Sequence, residues 1–192
     1  MRKIKFNSCV CHSKINKHKF IRDNLLSLIS LCKGETLDNS NNYYADSISK
    51  LDWSECKNLE RSWVQLFLPF FFEEVVKIIS TMGYNEIQLY EMWFQQYLEN
   101  DTHGWHIHGQ QFTGVYYLEF PEGCSKTEIC SPLDFNVKRI DVEEGDIIIF
   151  PAHFVHRGLP NKNNRKTIIS FNFDVITNTD TPSLNLKTLN LG

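Results

Sequence analysis

Hydrophobic positions in the first part of the chain recur every three or four residues, which is the spacing of an amphipathic helix. This pattern predicts a helix over residues 16–33, with Gly34 at its C-terminal cap. It predicts a second helix over residues 62–82, in which Pro69 should cause a kink or a restart because proline donates no backbone hydrogen bond. The broad apolar face of this second helix is expected to pack against a sheet. Residues 37–42 are polar and predict a loop.

The pattern changes at Glu86 to short runs of β-branched and aromatic residues that are separated by turn residues. Four such runs predict strands, over residues 86–97, 112–120, 147–150 and 166–175. Because no helical pattern lies between them, we expect an antiparallel sandwich or barrel. The sequence therefore predicts one α+β domain: residues 1–85 are mainly helical, residues 86–177 form the β core, and residues 178–192 are a peripheral tail.

Composition narrows the class of protein. With 42% hydrophobic residues in a chain of 192, the sequence excludes a disordered chain. A formal net charge of -3 disfavours nucleic acid as the main partner, and no apolar run is long enough to span a membrane. The N-terminus lacks the apolar segment of a signal peptide. Six cysteines without a CxxC pair indicate reduced thiols in the cytoplasm, and metal or redox pairs at Cys9/Cys11 and Cys124/Cys130 are the less favoured alternative.

Three of the seven histidines suggest a metal site. His106 and His108 flank Ile107, so in an extended segment both imidazoles point to the same face. His156 follows the third predicted strand and is placed to supply another imidazole, a common ligand of divalent metals. Arg165, at the start of the last predicted strand, offers a guanidinium group that binds a carboxylate through two hydrogen bonds.

A His-x-His pattern alone is weak evidence, because histidines also occur as hydrogen-bonded core or surface residues. The distal histidine and the arginine that follows it, each on a predicted β-element, favour the metal site. Of the other histidines, His103 is interpreted as a solvated loop residue, with a supporting residue behind the ligands or a competing ligand as the less favoured alternative. His153 is interpreted as pointing away from the site. His12 and His18 lie in the helical part and carry no signal.

Several segments between Trp93 and Val175 resemble the Fe(II)/2-oxoglutarate-dependent oxygenase superfamily, and in particular a small branch common in marine bacteria and their phages. This stretch covers just under half of the chain, and its matching segments are residues 105–108 (WHIH), 112–118 (FTGVYYL), 144–151 (EGDIIIFP), 156–157 (HR) and 164–172 (NRKTIISFN). The resemblance implies a double-stranded β-helix (jelly-roll) core with N-terminal helices packed on it. It does not extend clearly over residues 1–60.

The resemblance also implies roles for single residues. In this superfamily, iron is held by His-x-Asp/Glu and a distal histidine, which correspond to His106 and His156, while His108 occupies the carboxylate position. Arg165 matches the basic residue that binds the far carboxylate of 2-oxoglutarate, with Thr167 as its hydroxyl partner. Further residues expected to line the pocket are Trp93, Gln95, Tyr97, Tyr116 and Asn172.

The activity implied by the resemblance is oxidative. Fe(II) would bind 2-oxoglutarate and O2, and conversion of 2-oxoglutarate to succinate and CO2 would be coupled to hydroxylation of an unknown small molecule or peptide. Two alternatives stay open: a cupin-like three-His metal protein without 2-oxoglutarate, against which Arg165 argues, and a non-catalytic binding module on the same fold. No membrane partner is expected, the predicted location is the cytoplasm (the host's, if a phage encodes the protein), and a homodimer is left open.

Overall fold

The computed structural model describes residues 8–39, 46–132 and 135–176. It contains two α-helices, eleven strands and one short 3-10 helix, Trp53–Glu55, within these ranges. In chain order they are β1 (Cys11–Lys14), α1 (His18–Leu31), β2 (Glu35–Asp38), β3 (Ser47–Leu51), α2 (Ser62–Thr81), β4 (Glu86–Tyr97), β5 (His103–His106), β6 (Phe112–Glu119), β7 (Thr127–Cys130), β8 (Val137–Arg139), β9 (Asp146–Pro151), β10 (Val155–Gly158) and β11 (Lys166–Ile176). Neither described helix combines the length and the apolar character needed to cross a membrane.

The strands form two antiparallel sheets. The large sheet has the order β1-β9-β6-β11-β4-β3-β2, and the small sheet has the order β5-β10-β7-β8. The long central pairs are β11 with β4 and β11 with β6, while the N-terminal strands β1 and β2 form the two edges of the large sheet. The fold is α+β with a double-stranded β-helix core, as the resemblance implied.

Side chains of the large sheet alternate between a helix-covered face and a face shared with the small sheet. On β11, Ile169 and Phe171 belong to the larger core, which contains α1 and α2, whereas Ile168 belongs to the smaller core. On the helix side, the ring of Phe67 in α2 stacks on Tyr116 of β6 with centroids 4.8 Å apart. Because side chains alternate between the two faces, only every second residue of a strand can reach the functional site.

Both predicted helices are present, but the end of the first and the middle of the second differ from the prediction. The first helix ends at Leu31 because Cys32 is extended (φ -66°, ψ 137°), so Gly34 (φ +65°) lies in the link to β2 and is not the cap. The second helix continues through Pro69 as one element of 20 residues, so the predicted restart is wrong. Burial of its apolar face, which includes Phe71, offsets the lost backbone hydrogen bond.

The first 85 residues also contribute three strands that the hydrophobic pattern did not predict. Two of them, β1 and β2, are four residues long and largely exposed or half-buried edge strands, so they lack the apolar alternation that marks a strand. Residues 37 and 38 therefore belong to β2, which corrects the predicted loop. Residues 40–42 and the predicted tail, 178–192, lie outside the described residues.

Candidate metal centre

Three histidines converge at the edge of the small sheet. His106 ends β5 and is the direct cross-strand partner of His156 on β10. His108 lies just beyond β5, where its backbone N–H donates to the carbonyl of Ala152 (3.0 Å). The Nε2 atoms of His108 and His156 are 3.2 Å apart, and one nitrogen from each of the three rings lies within 4.8 Å of the others. Nitrogens about 2.1 Å from one metal ion are roughly 3 Å apart, so the cluster fits three ligands of a single ion.

Backbone carbonyls orient two of the three rings. Nδ1 of His106 is 2.8 Å from the carbonyl oxygen of Gly104, and Nδ1 of His156 is 2.9 Å from that of Phe154. Because a carbonyl only accepts, both Nδ1 atoms carry the proton, and both Nε2 lone pairs are available at the centre of the cluster. Such hydrogen bonds fix the tautomer and the ring orientation of metal-binding histidines.

The third ring, His108, contacts an amide that is linked to a carboxylate. Asn172 on β11 pairs with Glu91 on β4, and its Nδ2 lies 2.7 Å from Oε2 of Glu91 and 3.3 Å from Nδ1 of His108. Asn172 is 1% exposed, and its Oδ1 has no hydrogen-bond partner within the described part of the chain. If Nε2 of His108 binds a metal, its Nδ1 carries a proton and needs an acceptor, which a rotated Asn172 amide supplies.

Burial keeps the imidazoles of the cluster neutral. Desolvation lowers the pKa of His108 to about 3 and the pKa of His156 well below its usual value, and it also lowers the pKa of His106. His103 stacks on His106 with ring centroids 3.9 Å apart, and burial lowers its pKa to about 3. A metal ion can therefore bind at neutral pH without displacing protons from these rings.

A narrow cavity of about 30 Å³ adjoins the cluster and has room for one or two water molecules. Lys166, the first residue of β11, lines it and is 3% exposed. Its Nζ donates to the carbonyl of Ser125 (3.2 Å) and lies 4.1 Å from the centre of the Tyr97 ring. Burial lowers the pKa of Lys166 from 10.5 to about 8, so it is mainly protonated at pH 7. The second cation on this wall, Arg157, is already held by the carboxylate of Glu128 through two hydrogen bonds (2.9 and 2.8 Å).

Two larger cavities differ in their relation to the histidines. One, of about 400 Å³, shares Gln95 and three histidines, His103, His106 and His108, with the narrow cavity. The other, of about 680 Å³, lies beside residues 120–126 and includes none of these side chains. The cavity of 400 Å³ is therefore the open approach to the cluster.

Comparison with known proteins supports the fold. No protein-family model matches the sequence, and no curated protein matches it either. Many solved structures match the chain, among them the following three. The non-heme alpha ketoglutarate-dependent epimerase SnoN from nogalamycin biosynthesis is 11% identical, with a TM-score of 0.69 and coverage of 95% of this chain and 88% of that one. A prolyl hydroxylase from Trichoplax adhaerens, in complex with a hypoxia inducible factor peptide fragment, is 16% identical, with a TM-score of 0.62 and coverage of 86% and 83%. An oxidoreductase of the 2OG-Fe(II) oxygenase family from Burkholderia pseudomallei is 13% identical, with a TM-score of 0.60 and coverage of 86% and 84%.

The chain has the fold of the 2OG-Fe(II) oxygenases. At these identities, the likeness establishes the fold alone. Within this fold, the structure brings together His106, His108 and His156, the three residues that the sequence pattern selected. Trp93, Gln95 and Tyr97 also line the narrow cavity.

Two residues expected to bind 2-oxoglutarate face away from this cavity. The guanidinium group of Arg165 donates to both carboxylate oxygens of Glu119 (2.8 and 3.0 Å), and Thr167 donates to the same carboxylate (2.7 Å). The structure therefore does not bring Arg165 and Thr167 to the histidine cluster. Because β11 is extended, its odd-numbered residues share one face, whereas Lys166 and Ser170 point to the cavity.

The structure does not bring Tyr116 to the cluster either, since its side chain belongs to the helix-covered face. Its hydroxyl is 2.7 Å from Nδ1 of His18. Asn172 contacts His108 at one edge of the cluster and is not part of the cavity wall. His153 is exposed and takes no part in the cluster, as predicted, but His103 is not the solvated residue that the sequence suggested.

Lys166 is the residue that the sequence analysis missed. The sequence could have indicated Lys166, because residues 166 and 172 are an even number of positions apart on β11 and therefore lie on the same face of the strand. Asn172 is already predicted to line the site, whereas Arg165 lies on the opposite face. The choice of Arg165 rested on the forked shape of a guanidinium group, and that fork instead binds Glu119.

Proposed function

We propose that the protein is an Fe(II)- and 2-oxoglutarate-dependent oxygenase that hydroxylates its substrate, with His106, His108 and His156 as the iron ligands. The observation that carries this proposal is the pairing of a three-imidazole cluster with a buried lysine on one cavity. When bound at such a centre, Fe(II) together with 2-oxoglutarate and O2 supplies the oxidation of a C–H bond, with release of succinate and CO2. The chain's own residues hold, orient and shield these groups.

Lys166 is the proposed partner of the far carboxylate of 2-oxoglutarate. A buried ammonium group is costly unless an anion accompanies it, and Lys166 forms no ion pair at contact distance among the described residues. Its close contacts are a carbonyl and an aromatic ring, and the carboxylate of Asp101 attracts it from farther away. Trp93 adds a second group with unmet hydrogen-bonding capacity: its Nε1–H is buried and has no partner among those residues. A dicarboxylate of five carbons needs more room than 30 Å³, so its binding requires side chains of the cavity to move.

The missing carboxylate changes the charge of the proposed centre. Three neutral imidazoles leave Fe(II) with its full charge of +2, whereas a carboxylate in place of His108 would leave +1. A dianionic co-substrate is attracted more strongly by the larger charge in a medium of low dielectric constant. We therefore expect iron and 2-oxoglutarate to increase each other's affinity, by the same factor in both directions.

Anaerobic titration of Fe(II) with and without 2-oxoglutarate tests the proposal, with the visible metal-to-ligand charge-transfer band as the signal. We expect one iron per chain, a band only when both are present, and loss of iron binding in each single histidine-to-alanine variant. If 2-oxoglutarate neither increases the affinity for iron nor produces the charge-transfer band, the proposed role of 2-oxoglutarate as co-substrate is contradicted. That outcome would favour a three-His metal protein that works without 2-oxoglutarate, an alternative with which the small cavity agrees.

A further inference from the structure

The open cavity of about 400 Å³ beside the histidines presents mainly apolar surface, although polar side chains and three histidines also line it. We call it the approach groove. Ile48 and Leu51 of β3 are buried in its floor (0% and 4% exposed), while Trp53 and Ile107 stand at its rim (44% and 57% exposed). Leu37 of β2 adds a further apolar contact. Large apolar side chains this exposed, grouped around one cavity, mark a surface that binds something apolar.

The described lining of the groove carries no lysine or arginine side chain. Its only carboxylate is that of Glu35. The adjoining narrow cavity, in contrast, contains both Lys166 and Arg157. An anionic group that entered the groove would lose water without meeting a counter-charge, which is unfavourable. In the metal-free protein, the groove therefore disfavours a ligand that places an anionic group, such as a phosphate ester, against its described lining.

Apart from the histidines, each polar side chain of the groove makes a hydrogen bond within the protein. The carboxylate of Glu35 accepts from the backbone N–H of Ser54 (2.8 Å), and the hydroxyl of Thr36 donates to the carbonyl of Ser49 (3.2 Å). The amide oxygen of Gln95 accepts from Ser170 (3.2 Å). These three groups are partly engaged, whereas a peptide backbone needs several new partners, so apolar contact is the larger part of what the groove provides.

The rim of the groove is suited to a flat ring. The indole of Trp53 is held edge-on against Trp93, with ring centroids 4.5 Å apart and an interplanar angle of 86°. Trp53 is thereby fixed in place while almost half of its surface stays exposed. A fixed aromatic surface binds another ring with little loss of conformational freedom.

We propose that the approach groove binds the substrate of the oxygenase, and that this substrate is a small molecule whose inserted part is an uncharged, apolar ring system. The inference rests on the proposed function for the reaction that follows, since the groove leads to His106 and His108. The binding preference itself depends only on the groove.

A matched pair of probes tests the preference: 2-naphthol and 2-naphthyl phosphate, which share a ring system and differ by an anionic group. Both are titrated into the metal-free full-length protein by isothermal titration calorimetry. We expect saturable binding of 2-naphthol and at least tenfold weaker binding of the phosphate. The Trp53→Ala and Ile107→Ser variants should each weaken 2-naphthol binding at least tenfold. Ile107 is exposed, so its replacement should leave the fold intact, as far-UV circular dichroism would verify.

Phe20 provides the matched control, because it is an aromatic residue of α1 that is 77% exposed and lies outside the groove. Phe20→Ser should bind 2-naphthol as the wild type does. The proposal is overturned if 2-naphthol shows no saturable binding up to its solubility limit, or if Phe20→Ser weakens binding as much as Ile107→Ser. It is also overturned if 2-naphthyl phosphate binds as tightly as 2-naphthol in a manner that Ile107→Ser abolishes. These titrations contain no iron, so their failure is distinguishable from failure of the iron and 2-oxoglutarate titration.

Discussion

Replacing Lys166 with methionine should stabilise the protein and remove its affinity for 2-oxoglutarate. In the folded protein, burial lowers the pKa of Lys166 from 10.5 to about 8. Since a change of one in pKa corresponds to about 1.4 kcal/mol, holding the charged form costs roughly 3 kcal/mol of folding free energy at pH 7. Methionine keeps an unbranched apolar chain in the same space and avoids that cost. The expected gain is roughly 2–3 kcal/mol, or about 5–10 °C in melting temperature for a chain of this size.

The pH dependence of this gain has a definite sign. Between about pH 8 and pH 10.5, Lys166 is deprotonated in the folded protein but protonated in the unfolded chain. The unfolded state then binds more protons, so the stability contribution of Lys166 rises with pH over this window. The advantage of Lys166→Met should therefore be complete below pH 8 and disappear as pH approaches 10.5. Urea denaturation of both proteins at pH 7 and pH 10 measures the difference and cancels the titration of all other groups.

The same variant should weaken 2-oxoglutarate binding, measured by calorimetry on the metal-loaded protein, by about 30-fold or more. Loss of a buried charged partner costs about 2–5 kcal/mol, and 1.4 kcal/mol is tenfold. Arg165→Met is the control, because Arg165 is about half exposed and paired with Glu119. It should leave the affinity unchanged and lower the stability by no more than about 1 kcal/mol. The reasoning fails if Lys166→Met is destabilised at pH 7, or if Arg165→Met is the variant that loses 2-oxoglutarate.

Three further predictions concern the metal ligands, the residue that contacts one of them, and the packing of the sheet. His108→Asp should bind Fe(II) alone at least as tightly as the wild type but with weaker coupling to 2-oxoglutarate; equal or stronger coupling in paired iron titrations would show that charge is not what His108 contributes. Asn172→Leu should lower metal affinity about 10- to 100-fold by removing the partner of His108, and unchanged binding of Co(II), followed by its visible spectrum, would contradict this role. Gly114→Ala should destabilise the protein by about 1–3 kcal/mol in urea denaturation, because the added Cβ would lie 2.5 Å from the Phe171 ring and the Ile148 carbonyl oxygen; a neutral effect would show that the sheet relaxes easily.

Sequence periodicity sufficed for the main elements and for the histidine cluster, but not for the choice between neighbouring residues. The core strands were visible because their inward positions are apolar, and His106 and His156 were visible because few residue types bind metals. The edge strands were not visible, since exposed four-residue strands lack an apolar pattern. Arg165 was chosen over Lys166 on chemical type, although strand parity decides which of the two side chains enters the cavity. Membership of the marine bacterial and phage branch and a cytoplasmic location stay predictions.

Glu91, beside Asn172, affects the charge balance of the proposed metal centre. With Fe(II), a dianionic 2-oxoglutarate and protonated Lys166, the formal charges of the filled site sum to +1 when all three ligands are imidazoles. A carboxylate in place of His108 would make that sum zero. Glu91 carries a formal negative charge, and its Oε2 lies 2.7 Å from Nδ2 of Asn172, which lies 3.3 Å from Nδ1 of His108. When His108 binds the metal through Nε2, its Nδ1 is protonated, so the Asn172 amide turns its oxygen toward His108 and its Nδ2 away from Glu91. Glu91 would then balance the charge of the filled site through space, without occupying a coordination position, while the orientation of His108 would depend on Asn172.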